Sequence, residues 1–184
     1  MGQVTSLRGQ LLVAGPALVD PNFRRTVVLI GEHGDEGAMG VVLNRASETR
    51  VEDAVPPMAT LTAPDELVYL GGPVQPEAVV VLADFADLEQ GEVAVVDSIG
   101  FLPGEIEDTS ALGELRGVRI FAGYAGWAPG QLEDELEEGA WIVVTARSSD
   151  VFTTAPALLW SEVLRREGGP LAVLALLPDD PRVN

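Results

Sequence analysis

Nine short apolar stretches, each about the length of one β-strand, constrain this chain more than any other feature. They are QLLVA (10–14), TVVLI (26–30), GVVLN (40–44), LVYLG (67–71), AVVVL (78–82), VAVVD (93–97), VRIFA (118–122), WIVVT (141–145) and LAVLALL (171–177). Most are continuous rather than alternating, so strands built from them should be covered on both faces. Turn-forming segments separate them: AGPALVDPN, EHGDEG, GGPVQPE and LPGEIED. Helical patterns are fewer. A short helix is expected at 51–55, stopped by Pro56-Pro57, and another at 108–115, capped by Asp108 or Thr109. A third should span 129–138, with Pro129 in its first turn, Leu132 and Leu136 on one face and Gly139 just past its end. The longest should run over 155–167, with an apolar face of Leu159, Trp160, Val163 and Leu164 and a stop at Gly168-Gly169. Strands outnumber helices and do not alternate with them, so the expected class is α+β: one compact domain with a strand-rich mixed sheet.

Charge narrows the functions. The 184 residues carry 29 acids against 11 basic residues, all arginine, for a net charge of −18. Such a chain is repelled by nucleic acid and by anionic membrane surfaces, so neither is expected as a direct partner. Cysteine is absent, which excludes disulfides and thiol chemistry and fits the cytoplasm. The opening residues carry no signal-peptide pattern, and no apolar run reaches the roughly 18 residues that span a bilayer.

The sites that carry chemistry are sparse. His33, in GEHGDEG with Asp35 and Glu36, is the single histidine, which suits a structural role better than a metal centre. No metal or cofactor is therefore expected. No nucleophile elbow is present, and nothing identifies a base for Ser98. On the helix at 129–138, Glu133/Glu137 and Asp134/Glu138 lie one turn apart, opposite Leu132 and Leu136, which reads as a solvated acidic face. The segment GYAGWAPGQLEDELEEGAW joins a strand to that helix. Its Gly123, Gly126 and Gly130 allow backbone to approach either a ligand or another backbone. Gly71-Gly72-Pro73 poses the same choice, and the amides of Asn44 and Gln131 can serve neighbouring backbone or a ligand.

The segments LLVAGPALVDPNFRRTVVLIGEHGDEGAMGVVLNR, YLGGPVQPEAVVVL and RIFAGYAGWAPGQLEDELEEGAWIV occur in that order, followed by a Trp-bearing helix. In this they closely resemble the AlgH/YqgE family of bacterial proteins, across positions 11 to 177. The motifs are D-x-x-F-x-R-T-V, G-A-M-G-V-V-L-N-R, G-G-P-V and G-Y-x-G-W-x-x-G-Q-L-E-x-E. The family commonly has Pro after the Asn-Arg pair, where this chain has Ala46. The resemblance implies an α+β domain whose strands curl toward a partial barrel with helices outside. It implies a cytosolic protein with no agreed enzymatic activity and an indirect link to transcription. Its signature positions here are Asp20, Phe23, Arg24 or Arg25, Asn44, Gly71, Gly72, Pro73, Gly123, Tyr124, Gly126, Trp127, Gly130, Gln131, Leu132 and Glu133.

Three functions follow as expectations. The first is binding of a small metabolite or protein partner by loops carrying Asn44, Gly71, Gly72, Tyr124, Trp127, Gln131 and Glu133. The second is acid–base or hydrolytic catalysis by a buried Glu133 or Asp20 with Arg24 or Arg25. The third is an interaction scaffold or homo-oligomer using exposed apolar loops, such as the one around Phe101.

Overall fold

The computed structural model describes residues 5–87, 94–102 and 109–179, with the backbone alone at 110 and 111. Nine strands are present: β1 (Gln10–Ala14), β2 (Val27–Gly34), β3 (Gly37–Val42), β4 (Ala46–Arg50), β5 (Leu67–Leu70), β6 (Val74–Phe85), β7 (Ile99–Leu102), β8 (Leu115–Trp127) and β9 (Trp141–Thr145). They form one mixed, unclosed sheet ordered β4-β5-β8-β3-β2-β1-β9, with β6 and β7 branching from β8. The 13-residue β8 is its spine: it pairs antiparallel with β6 and β3 and parallel with β5. Five helices pack around the sheet: α1 (Val51–Ala54), α2 (Gln131–Glu137), α3 (Ser148–Val151), α4 (Pro156–Glu167) and α5 (Gly169–Leu174).

The period of two along a strand sorts the apolar residues into separate cores. Odd positions Leu11, Val13, Val27, Leu29, Val41 and Leu43 face α4, whose Leu159, Trp160, Val163 and Leu164 cover them. Even positions Leu12, Ala14, Val28, Ile30 and Val42 face the other way, onto α2 through Leu132 and onto Phe23, Trp127 and Trp141. A third core joins β6, β7 and the first half of β8 to Val51 and Met58. The apolar strand β1 and the first half of β2 are thus buried on both faces, whereas β5 and β9 leave Leu70 and Val143 exposed.

Four expectations are corrected. The stretch 171–177 lies in α5 and the turn after it, not in a strand. Pro170 starts that helix, and its burial has helical spacing: Leu171, Leu174 and Ala175 turn inward while Val173 and Leu176 are exposed. Of 93–97, residues 94–97 form a loop in which Val96 only bridges Ile99, and the strand begins at Ile99; residue 93 lies outside the described residues. The helix at 108–115 reduces to one 3-10 turn at Thr109–Leu112, and Asp108 lies outside the described residues. The exposed, polar β4 (ASETR) carried no apolar pattern to announce it. Phe101 sits in β7, half-buried against the α4-side core, rather than on an exposed loop.

Candidate functional site

Residues 20–25 connect β1 to β2 and are held from several sides. Asp20 opens the turn, its carboxylate accepting the Asn22 N–H at 2.8 Å and its carbonyl the N–H groups of Phe23 and Arg24. Thr26, fully buried, closes it by donating its hydroxyl to the Phe23 carbonyl at 2.6 Å. Arg45 lays its guanidinium across the carbonyls of Pro21, Asn22 and Arg24 at 2.7–3.1 Å. Burial lowers the Arg45 pKa from its ordinary value, and the charge of Asp20 opposes that shift.

Arg25 carries the strain in this loop. Its φ of 54° is left-handed, which costs a residue with a Cβ roughly 1–2 kcal/mol. Asn44 offsets that cost: its Nδ2 donates to the Arg25 carbonyl and its Oδ1 accepts the Val27 N–H, each at 2.9 Å. Two such bonds contribute roughly 0.5–1.5 kcal/mol apiece. The amide of Asn44 is thereby committed to backbone.

Phe23 points to the other face of the sheet. Its ring lies 6.2 Å from Trp127 and 5.7 Å from Trp141, which are 6.0 Å from each other and edge-on. Both indole N–H groups donate to one oxygen of Glu135, at 2.9 and 2.8 Å. Gln131 donates to the other oxygen at 3.0 Å, while its own carbonyl accepts the Ala128 N–H. Glu135 is the hub of this corner, and sequence reasoning passed over it. Its spacing was visible, since Gln131 and Glu135 are one helical turn apart and the motif ends on that Glu.

Glu133 has a different partner. His33 Nδ1 accepts the Leu7 N–H at 2.9 Å, so in the neutral ring the proton sits on Nε2, which donates to Glu133 at 2.6 Å. The imidazole is 2% exposed and the carboxylate 35%. The backbone N–H of Glu133 itself and then His33 hold its carboxyl below the ordinary glutamate value. Both ring nitrogens are engaged, and among the described residues no three His, Asp or Glu side chains gather as a metal site.

The glycines bring backbones together. Gly71 bonds through its N–H to Ala122 and through its carbonyl to Val42, and Gly72 lies against the backbone of Tyr124 and Ala125. Tyr124 packs half-buried against the core on the α4 side. Gly71, Gly72 and Tyr124 are therefore adjacent. Trp127, Gln131 and Glu133 lie farther along β8 and α2, where Trp127 pairs with Ala38. Asn44 lies past the opposite end of β3, six residues on, which is roughly 20 Å of extended chain.

A cavity of ≈ 350 Å³ opens beside the 20–25 loop, lined by Gly15, Pro16, Leu18, Val19, Arg24, Arg25, Trp160, Leu177 and Pro178. The Arg25 guanidinium stacks 4.0 Å from the centre of the Trp160 ring, whose N–H is tied to the Ala14 carbonyl. A smaller cavity of ≈ 230 Å³ brings Gly72 and Pro73 beside Asn22 and Arg45. Another of ≈ 390 Å³ is lined by Glu66, Arg116 and Arg119, whose charges pair with one another or with Asp84. Asp20 is exposed and spent on its turn.

A family model described as AlgH-like matches residues 11–172. A UPF0301 protein of Streptomyces coelicolor is 46% identical over 190 residues, covering 100% of this chain and 98% of its own. One of Rhodococcus opacus is 44% identical, covering 96% and 90%. A crystal structure of a Corynebacterium diphtheriae protein is similar at TM-score 0.85 and 30% identity, covering 96% of this chain and 95% of its own. The solution structure of the AlgH protein from Pseudomonas aeruginosa is similar at TM-score 0.69 and 29% identity, covering 97% and 98%. Among the described residues, no helix is long and apolar enough to cross a membrane.

Proposed function

The chain belongs to the AlgH-like family, and from that premise we propose that it is a small-ligand-binding protein whose site is the cavity beside residues 20–25. One observation carries the reading: Asn44 holds Arg25 in a strained conformation at the wall of that cavity. Strain of this kind persists only where its surroundings over-determine it, and it clusters at ligand sites. Asn44 serves the site by holding Arg25, while Trp127, Gln131 and Glu133 belong to the corner of α2, and Gly71, Gly72 and Tyr124 to the β5–β8 contact, away from the cavity lining. We place the protein in the cytoplasm, in keeping with its lack of cysteine, and any effect on transcription is indirect, since −18 opposes DNA.

Acid–base catalysis has less support. Asp20 is exposed, and Glu133 is held low rather than raised as a buried general acid would be. A protein partner is the second reading, favoured by exposed Val19 and Leu177 in the cavity lining and by exposed Val173 and Leu176 on and just after α5.

Thermal shift across a panel of metabolites tests the site. A ligand at about 100 times its Kd adds roughly 2.7 kcal/mol, or about 5–10 °C for a domain of this size. The shift should vanish in Arg25→Gln and survive in Gln131→Ala. The opposite pattern would move the site to the aromatic corner, and silence across the panel would favour the protein partner.

A further inference from the structure

We infer that the cavity takes a carboxylate bearing an apolar body, about ten to twelve non-hydrogen atoms in all, and that Asp179 of the chain itself holds the place of that carboxylate. The inference rests on the cavity being the binding site proposed above. Its lining is apolar except for Arg24 and Arg25, and among the described residues no acid belongs to that lining, Asp179 pairing with the two arginines from outside it. In a chain of net charge −18 that is a local reversal of sign. At roughly 30 Å³ for each water-sized group, ≈ 350 Å³ accommodates a ligand of that size.

The segment after α5 shows which chemistry the arginines accept. Arg25 Nη1 donates to the carbonyls of Leu177 and Pro178 at 3.0 and 3.1 Å. The Asp179 carboxylate lies 3.3 Å from Arg25 Nε and 3.9 Å from Arg24. Two guanidinium groups thus share one carboxylate, the place the ligand's own carboxylate takes, and the surrounding negative charge disfavours a phosphate dianion there. Asp179 is 87% exposed, so its ion pairs are the screened, weak kind that a ligand displaces readily. The carbonyl contacts keep Leu177 as an apolar wall while the carboxylates exchange.

Calorimetric titration of the full chain with octanoate, and with octanol as its uncharged counterpart, tests this. Octanoate should bind at least about tenfold tighter than octanol. Arg24→Gln, at a position 40% exposed and tolerant of change, should erase most of that preference, as should Arg25→Gln. Asp179→Ala should tighten octanoate binding by about two- to fivefold, to which roughly 0.4–1 kcal/mol, the upper part of the range for an exposed ion pair, converts. Equal binding of octanoate and octanol, or an unchanged or weaker Kd in Asp179→Ala, overturns the inference. If neither compound binds but a panel ligand does so through Arg25, the site stands and the ligand class is wrong. If no ligand depends on Arg25, both fall.

Discussion

Glu135 and Glu133 sit two residues apart on α2 and do opposite kinds of work. Glu135 gives three donors their acceptor, two of them on nearly buried tryptophans. Glu135→Ala leaves those donors unpaired, and each buried unsatisfied group costs about 1–3 kcal/mol. We expect a loss of about 2–4 kcal/mol by urea denaturation, with Glu135→Gln losing less because it keeps one acceptor; equal losses would remove the hub role. Glu133 is tested through pH. Its folded-state pKa is depressed, first by its own backbone N–H and then by His33. The carboxylate therefore adds stability above its unfolded value of about 4.3, and that stability is lost as pH falls through the folded value. The gap between wild type and Glu133→Gln should be widest above about pH 5 and close in acid. Urea midpoints at pH 3 to 6 check this, and a constant gap would show that the charge is not involved. The pairing of Glu133 was not legible in the sequence, because His33 reaches α2 from the distant strand β2, whereas the indole partners of Glu135 are close in sequence and only the turning of β8 and β9 onto α2 decides that they meet it.

Among the elements, α2 and the β5–β8 crossing show how the same residue type can matter greatly or little. Gly139 ends α2 at φ +73°, with its N–H on the Leu136 carbonyl and the Ala140 N–H on that of Glu135, and nothing occupies the space a Cβ would fill. Gly123 has nearly the same φ, +71°, but a Cβ there would lie 2.5 Å from the Gly72 carbonyl oxygen, which is backbone and cannot yield. Gly139→Ala should cost about 1–2 kcal/mol, the left-handed penalty alone. Gly123→Ala should cost more than about 3 kcal/mol or prevent folding, read as the difference in Tm between the two variants. Similar losses would mean that the strand crossing tolerates more space than its geometry indicates. Helix α2 was legible because its Leu132/Leu136 spacing and Gly139 are local signals, whereas β4 has no apolar face and α5 lies in a run whose composition suits either state.

At the scale of the whole molecule, net charge dominates. Eighteen excess negative charges repel one another in the folded state, and salt screens them over about 8–10 Å. The buried ion pair of Asp150 with Arg166, at 2.7 Å, is screened far less. Raising NaCl from about 10 to 300 mM should therefore raise Tm by a few degrees. A fall in Tm would mean that local ion pairs outweigh the general repulsion.

What the linear chain settles here is whatever depends on neighbours within about one turn or one strand. Most of the continuous apolar runs form strands, Pro and Gly mark where α2 and α4 begin and end, and the side chains fix a net charge of −18. The site belongs to the other class. Asn44 meets Arg25, Arg45 meets Pro21, Trp160 meets Arg25 and Asp179 meets both loop arginines, across separations of up to about 150 residues. Sequence spacing carries no record of such contacts. They arise when the β1–β2 connection, the end of β3, α4 and the segment after α5 are packed around one sheet, and that packing sets Arg24 and Arg25 in the wall of a cavity.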